Sequence, residues 1–218
     1  MLLRSCRTLL SHSLIDGVVV VLAEADTGFA ELPEGVRSKL VTTVGGATRS
    51  ESVAQGVREV MKRSGDNTWA LVHDAARPLL SARDLANLVS QITQSNADGG
   101  LLATPVNDTL KRCQSGVTVA NNETPNVQDF RQSVQQTVDR ENLWQAQTPQ
   151  MFRAKALLDA LQDAGAAGVS ITDEASAMEH AGMSPQIVQA MDPNFKITQS
   201  VDLKLATAWL LSIDSTQK

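Results

Sequence analysis

Apolar positions follow two periods along the chain, and their order predicts an α/β fold. Short continuous apolar runs are typical of buried strands. Runs of this kind are 18–23, 39–44, the first half of 69–78, 101–106 and 186–188. Apolar residues at helical spacing predict helices between these strands. The predicted helices are 2–10, one that begins near Ser50, 83–94, 153–164 and 202–211. The chain therefore begins with a helix, and strands and helices then alternate.

The segment Trp69–Pro78 combines a predicted buried, parallel strand with polar residues where that strand ends. Asp74 follows the apolar run directly, and Arg77 lies three residues later. Ligands of open α/β sheets bind outside the carboxyl ends of the strands, so both side chains are candidates for phosphate, hydroxyl or metal contacts. The alternative is structural, because Asp74 could cap the turn while Arg77 pairs with it on the surface.

A change in composition predicts a projecting hairpin in the middle of the chain. Residues 114–137 are rich in Gln, Asn, Ser and Val, and 116–120 and 133–138 alternate like two strands. A two-stranded ribbon is marginally stable alone. We therefore expect it to pack against another surface, for which the same ribbon of a symmetric partner is an economical candidate.

Composition and charge exclude several classes of protein. The net charge of −5 and pI near 5.2 argue against a broad basic surface for nucleic acid, although a local basic pocket for phosphates stays possible. Cys6 and Cys113 lack metal-ligand spacing, which argues against a zinc site. A reducing cytoplasm is the simplest setting for the chain. No apolar run approaches the roughly 20 residues that cross a bilayer, so we expect no membrane span.

The first fifteen residues contain Arg and Ser and no acid before Asp16, a pattern also typical of an organelle transit peptide. Their apolar residues nevertheless share one helical face, which favours a core helix. These residues are Leu2, Leu3, Cys6, Leu9 and Leu10.

Six segments resemble the motifs of one family, the 2-C-methyl-D-erythritol 4-phosphate cytidylyltransferases. The central one is His-Asp-Ala-Ala-Arg-Pro at 73–78. The others are Gly-Gly with Arg and Ser-Val at 45–53, Asp-Thr-Leu-Lys at 108–111, 137–150 with Trp144 and Thr-Pro-Gln, Thr-Asp-Glu-Ala-Ser at 172–176, and Asn-Phe-Lys-Ile-Thr at 194–198. The resemblance covers nearly all of the chain.

The resemblance implies a Rossmann-like, doubly wound, mostly parallel sheet of the nucleotidyltransferase type with a protruding β-hairpin arm. It implies a single domain over 1–218, in which the arm and its flanks occupy 107–148. In this family the arm forms a homodimer and completes the neighbour's active site.

The implied reaction joins methylerythritol phosphate to the α-phosphorus of CTP and releases pyrophosphate, with Mg²⁺ bound alongside CTP. The resemblance assigns cytidine to Gly46, Ala47, Ser52 and Ala75. It assigns the sugar phosphate to Asp74, Arg77, Thr109, Arg140, Thr148 and Lys196, of which Thr109, Arg140 and Thr148 are candidates to come from the partner subunit. The acids of 172–176 could bind metal, but a helix start is the favoured interpretation.

The chain differs from the family pattern at its N-terminus. The resemblance begins at the helix that follows a glycine-rich loop, Ala-Ala-Gly-x-Gly-x-Arg, and neither that loop nor the later Pro-Lys occurs in the sequence. We therefore assign no catalytic residue and expect an N-terminally truncated chain with weak or no turnover and reduced stability. A ribitol or arabitol phosphate cytidylyltransferase and a non-catalytic dimeric module that binds sugar phosphates are the alternatives.

Overall fold

A computed structural model describes residues 1–114 and 133–216. These residues form two compact units. The first comprises Met1–Ala103 and Ala146–Lys218, and the second is Thr104–Gln145. Within the described residues, no helix is long and apolar enough to cross a membrane.

The described part of the first unit contains seven α-helices, one 3-10 helix at Gly28–Glu31, and most of the strands. The helices are α1 Leu2–Leu10, α2 Glu34–Arg37, α3 Arg49–Ser64, α4 Ala82–Gln94, α5 Ala154–Ala166, α6 Glu174–His180 and α7 Ser200–Thr216. The strands in 1–114 and 133–216 are β1 Val18–Leu22, β2 Leu40–Val44, β3 Trp69–Val72, β4 Gly99–Pro105, β5 Leu110–Cys113, β6 Val134–Val138, β7 Trp144–Arg153 and β8 Gln186–Gln189. Each predicted helix and each predicted strand outside the arm corresponds to one of these elements.

The strands of the first unit form two sheets. Strands β1 and β2 pair in parallel, and a second sheet has the order β3-β7-β4-β8, in which β4 and β8 are parallel. The prediction that 69–72 is a parallel strand is wrong, because β3 pairs antiparallel with β7. A short apolar run fits either direction, so the sequence could not distinguish them. The predicted complete burial of β1 is also wrong, since only Val20 is fully buried.

The core lies on both faces of the four-stranded sheet. One cluster joins α3, α5 and α6 to residues of β3, β4 and β7, and another joins α1 and α4 to β4, β7 and β8. All four predicted inward residues of α4 are buried: Leu85, Leu88, Val89 and Ile92. On α3, only Val57 of the predicted face is fully buried, while Val53 and Met61 pack against the core half-buried.

Side-chain caps fix where three helices begin. The Ser81 hydroxyl accepts the backbone N–H of Asp84 at 3.0 Å, which confirms the predicted start of α4. Helix α3 begins after Thr48, whose hydroxyl accepts the N–H of Glu51 in a capping box. Asp173 caps α6 in the same way, so the helix-start interpretation of 172–176 is confirmed.

The second unit contains an antiparallel pair, β5 and β6. The predicted strand at 133–138 is confirmed as β6. Its partner is Leu110–Cys113, which overlaps the Asp-Thr-Leu-Lys motif and was not predicted as a strand of the arm. The other predicted arm strand, 116–120, lies outside the described residues.

Helix α7 differs from its prediction. The sequence predicted a helix with one apolar face. Among the described side chains of α7, the buried apolar one is Ala206. Four large apolar side chains are at least half exposed: Val201 at 50%, Leu203 at 52%, Leu205 at 57% and Leu211 at 65%. Apolar residues occur around the whole helix, so the pattern did not select a single face.

Candidate active site

The turn after β3 places Asp74 at the end of the strand and ties it to two distant segments. The backbone N–H of Asp74 donates to the Thr148 hydroxyl at 3.0 Å. The N–H of Ile197 donates to the carbonyl of Ala76 at 2.8 Å. The turn, the middle of β7 and the segment that carries Lys196 therefore form one hydrogen-bonded structure.

His73 and Thr148 form the inner part of this structure. The His73 Nε2 lies 3.1 Å from the carbonyl oxygen of Arg77, which can only accept, so Nε2 carries the proton. The Nδ1 atom, 3.0 Å from the Thr148 hydroxyl, then accepts from that hydroxyl. Burial of the ring lowers the pKa of His73 to about 4, although the Arg77 carbonyl and Asp74 oppose this shift. His73 is therefore neutral near pH 7.

Asp74 lies among three cationic side chains. Its carboxylate is 3.1 Å from Lys196 Nζ, 3.2 Å from Arg49 Nη2 and 3.8 Å from Arg77 Nε. Burial would raise the pKa of Asp74, but the charges and hydrogen bonds of Arg49 and Lys196 outweigh burial and lower it. The Asp74 side chain is 16% exposed and Lys196 is 44% exposed, so the cluster is open to solvent on the lysine side.

Arg77 is fixed by a hydrogen bond to the buried residue Asn194. Its Nη1 donates to the carbonyl of Asn194 at 2.8 Å, and the Asn194 side-chain amide donates to the carbonyl of Thr148 at 2.8 Å. The Arg77 Nε is buried without a hydrogen-bond partner. Burial lowers the pKa of Arg77, although the Asp74 carboxylate opposes this shift. A donor fixed in this way is suited to an anionic ligand.

A second candidate region is the glycine segment between β2 and α3. A cleft of about 450 Å³ opens at the carboxyl ends of the parallel strands β1 and β2. It is lined by Val21, Leu22, Ala23, Glu24, Val44, Gly45, Gly46, Ala47 and Ser52. Ligands of α/β folds bind at such strand ends. The size of the cleft suits a nucleoside-sized group.

Two side chains of α3 hold the glycine segment in shape. The N–H of Gly46 donates to the Ser52 hydroxyl at 3.1 Å, and the N–H of Ala47 donates to Glu51 at 2.7 Å. A Cβ added at Gly46 would lie 2.4 Å from the Cβ of Glu51. Glycine is therefore required here by the close approach of the helix cap.

The structure brings together four of the six predicted sugar-phosphate residues. These are Asp74, Arg77, Thr148 and Lys196. Thr148 belongs to the first unit and is 4% exposed, with its hydroxyl bonded to His73 and Asp74. Its observed contacts therefore orient Asp74.

The remaining predicted residues lie elsewhere in the chain. Of the predicted cytidine residues, Gly46, Ala47 and Ser52 line the cleft, and Ala75 is exposed in the turn after β3. Thr109 and Arg140 belong to the second unit, where both are exposed and Arg140 donates to the carbonyl of Asn107.

Sequence reasoning missed two residues of the charged cluster, Arg49 and Glu174. Arg49 Nη1 donates to Glu174 Oε1 at 2.6 Å and Nη2 donates to Oε2 at 3.1 Å. Both residues occur inside recognised motifs, but 125 positions separate them in the chain. Their pairing had no local signal, since Glu174 resembles any first-turn carboxylate.

The described residues do not form a metal site of their own. No group of three or more His, Cys, Asp or Glu side chains in 1–114 and 133–216 could hold a metal ion. Asp74 and Glu174 are both paired with arginine. A Mg²⁺ ion in proteins commonly relies on one or two carboxylates together with substrate phosphates. A Mg²⁺ site at this position would therefore depend on substrate phosphates for most of its ligands.

Comparison with known proteins identifies relatives of the whole chain. The family model for 2-C-methyl-D-erythritol 4-phosphate cytidylyltransferase matches residues 1–212. The enzyme of that name from Cronobacter sakazakii is 43% identical over 202 residues, which cover 93% of this chain and 78% of the relative. A solved structure of 4-diphosphocytidyl-2C-methyl-D-erythritol synthase is 35% identical with a TM-score of 0.77, covering 96% of this chain and 90% of the other. The cytidylyltransferase structure from Francisella tularensis is 30% identical with a TM-score of 0.74, covering 94% and 86%.

Proposed function

Because the chain belongs to the 2-C-methyl-D-erythritol 4-phosphate cytidylyltransferase family, we propose that its charged cluster binds methylerythritol phosphate and its glycine cleft binds the cytidine of CTP. In the reaction, an oxygen of the 4-phosphate attacks the α-phosphorus of CTP. The new bond gives 4-diphosphocytidyl-2-C-methyl-D-erythritol, and the bond between the α- and β-phosphates breaks to release pyrophosphate. No covalent intermediate on the protein is required. The product is an intermediate of non-mevalonate isoprenoid biosynthesis.

The observation that carries this proposal is the arrangement of cations around Asp74. Arg49, Arg77 and Lys196 lie within 4 Å of its carboxylate. Three cations exceed the charge of Asp74 and the neighbouring Glu174, so the cluster keeps an excess of one positive charge. A sugar phosphate dianion is attracted to such a cluster, while a carboxylate at its centre can accept hydrogen bonds from sugar hydroxyls.

Lys196 is the cation best placed to reach the phosphate. Its side chain is the most exposed of the three, at 44%, whereas Arg49 is 38% and Arg77 13% exposed. Its ammonium group forms an ion pair with Asp74 at 3.1 Å. Arg77 is buried against Asn194 and supplies fixed positive charge behind Asp74.

We propose that Mg²⁺ binds together with CTP. Among the residues that the structure describes, no group of three or more His, Cys, Asp or Glu side chains could hold a metal ion without the substrate. A divalent metal such as Mg²⁺ is commonly bound by triphosphate oxygens and compensates their charge. The roles given to Asp74, Arg77 and Lys196 do not depend on it.

We also propose that the arm, 107–148, forms a homodimer of the chain in the cytoplasm. The pair β5 and β6 exposes most of its residues, including Val134 at 56%. Isolated two-stranded ribbons are marginal in water. Pairing with a second copy would cover them, and Thr109 and Arg140 are then candidates to contact the partner's sugar phosphate. Sedimentation equilibrium tests the dimer, and a monomer at all concentrations contradicts it.

A matched pair of lysine variants tests the assignment of the sugar-phosphate site. Lys196→Met removes the exposed cation at Asp74, and Lys204→Met removes an exposed lysine of α7. Loss of one charge-assisted hydrogen bond weakens binding by about 1.5–3 kcal/mol, roughly 10- to 100-fold. Isothermal titration calorimetry with methylerythritol phosphate should show this loss for K196M and wild-type affinity for K204M.

Transfer itself is followed as pyrophosphate release that requires both CTP and methylerythritol phosphate. The predicted product is detected by its ³¹P spectrum, which contains the two coupled phosphorus signals of a diphosphate diester. Equal affinity of K196M and wild type for methylerythritol phosphate would contradict the site. Equal pyrophosphate release with ribitol phosphate would contradict methylerythritol phosphate as the substrate.

A further inference from the structure

Arg49 connects the two regions to which the proposed function assigns ligands. It is the first residue of α3 and follows the glycine segment directly. One guanidinium contacts two carboxylates, because Nη2 donates both to Glu174 at 3.1 Å and to Asp74 at 3.2 Å. Arg49 therefore links the start of α3, next to the glycine segment, to the charged cluster.

Glu174 fixes the guanidinium in place. The Glu174 side chain is 1% exposed and receives both Nη atoms of Arg49. The neighbouring backbone is held as well, since the N–H of Ala175 donates to Gln150 at 2.7 Å and the amide of Gln150 donates to Asp173 at 2.8 Å. A bidentate pair with a buried and anchored carboxylate gives the guanidinium one orientation.

Arg49 and Glu174 each stabilise the charged form of the other. Burial raises the pKa of Glu174, which Arg49 opposes through hydrogen bonds and charge. Burial alone would lower the pKa of Arg49, but Glu174 and Asp74 outweigh it and raise the pKa, so the guanidinium stays charged. Without Arg49, Glu174 would be a buried carboxylate without its cation, and Asp74 would lose one of its three cations.

We propose that Arg49 is a positioning residue that, anchored by Glu174, fixes Asp74 relative to the glycine segment and so sets the spacing between the two substrates. This inference rests on the proposed function. Arg49 acts through Asp74 and through the start of α3, and needs no contact with the reacting atoms. A lysine cannot replace it, because a single ammonium does not present the planar fork that spans two carboxylates.

Two measurements in the ligand-free chain test the contact itself. The Asp74 carboxyl is titrated by ¹³C NMR in the wild type, in Arg49→Gln and in Arg63→Gln. Arg63 is a matched control near the other end of α3, 53% exposed and paired with Glu59 in the same helix. The pKa of Asp74 should rise in R49Q and stay at the wild-type value in R63Q. An unchanged Asp74 pKa in R49Q would overturn the inference.

Binding measurements then distinguish a positioning role of Arg49 from a contribution of its positive charge alone. Calorimetry with CTP and with methylerythritol phosphate should show both ligands weakened about tenfold by R49Q and by Arg49→Lys, whereas K196M weakens only the sugar phosphate. Glu174→Gln should match R49Q, and the double variant R49Q/E174Q should be no weaker than either single variant, because the two residues act as one unit.

Three outcomes contradict the inference. They are wild-type affinities in R49K, a loss confined to one ligand, or additive losses in the double variant. Thermal unfolding of each variant identifies any loss that reflects misfolding, and R49K, which keeps the charge but not the guanidinium, remains the decisive variant. A wild type that binds neither ligand would instead refute the proposed function, and the Asp74 titration would still decide whether Arg49 holds Asp74.

Discussion

Removing the imidazole of His73 should flatten the dependence of stability on pH. The His73 pKa is lowered from 6.5 to about 4 in the folded chain. Between these values the unfolded chain binds more protons than the folded chain, so the free energy of unfolding falls as the pH is lowered from 6.5 to 4. The stabilisation is complete above pH 6.5.

The size of the effect follows from the same two values. The loss on going from pH 7.5 is about 2 kcal/mol at pH 5 and about 3 kcal/mol at pH 4, from 1.36 kcal/mol per pKa unit. This is a large part of the stability of an ordinary domain. Carboxylates elsewhere add their own pH dependence, which cancels when a variant is compared with the wild type.

Urea unfolding at pH 7.5, 5 and 4 measures this loss in the wild type, His73→Asn and His73→Gln. At pH 7.5 the variants should differ, because Asn keeps an acceptor toward Thr148 and Gln keeps a donor toward the Arg77 carbonyl. Both should nevertheless lose about 3 kcal/mol less than the wild type on acidification to pH 4. Parallel pH profiles for all three proteins would refute a buried, neutral His73.

Three further substitutions test the framework of the site. Asp84→Ala should lower the free energy of unfolding by about 3 kcal/mol, because the fully buried carboxylate accepts the backbone N–H groups of Met191 and the next residue at 3.0 Å. Gly46→Ala should weaken CTP binding about tenfold, because its Cβ would lie 2.4 Å from the Cβ of Glu51 and move the glycine segment. Thr148→Val should weaken methylerythritol phosphate binding about tenfold, since it removes the acceptor of the Asp74 N–H.

Each of these three substitutions is compared with a control substitution. Asp84→Asn keeps one acceptor and should lose less stability than D84A, measured by urea unfolding. Gly65→Ala changes a glycine with φ +81° in the turn that ends α3, so it should cost stability while calorimetry shows unchanged CTP affinity. Thr148→Ser keeps the hydroxyl and should retain wild-type affinity. Equal effects of a variant and its control would contradict the contact concerned.

The fold was largely predictable because most of its elements have strong local signals. Helix α4 combines a capped start with four apolar residues at helical spacing, and all four are buried. The direction of β3 was not predictable, because it depends on pairing with β7, in which Val72 lies opposite Gln150, 78 residues further along the chain. The prediction of a single apolar face on α7 failed for a different reason, because its apolar residues surround the helix.

Motifs predicted which residues belong to the charged cluster. Asp74, Arg77 and Lys196 were placed by resemblance, and the ion pairs around Asp74 bring them together. The Arg49–Glu174 pair was missed because no local pattern distinguishes a paired from a solvated charge. The roles of Thr109 and Arg140 stay predictions, since both belong to the second unit.

Selective binding of methylerythritol phosphate tests the central claim most directly. Calorimetry compares the chain with methylerythritol phosphate, ribitol 5-phosphate and inorganic phosphate at the same ionic strength. A site formed by Asp74, Arg77 and Lys196 should bind methylerythritol phosphate at least about tenfold more tightly than the other two, because the carboxylate receives hydroxyls while the cations hold the phosphate. Equal affinity for all three, or binding of none, would contradict the account.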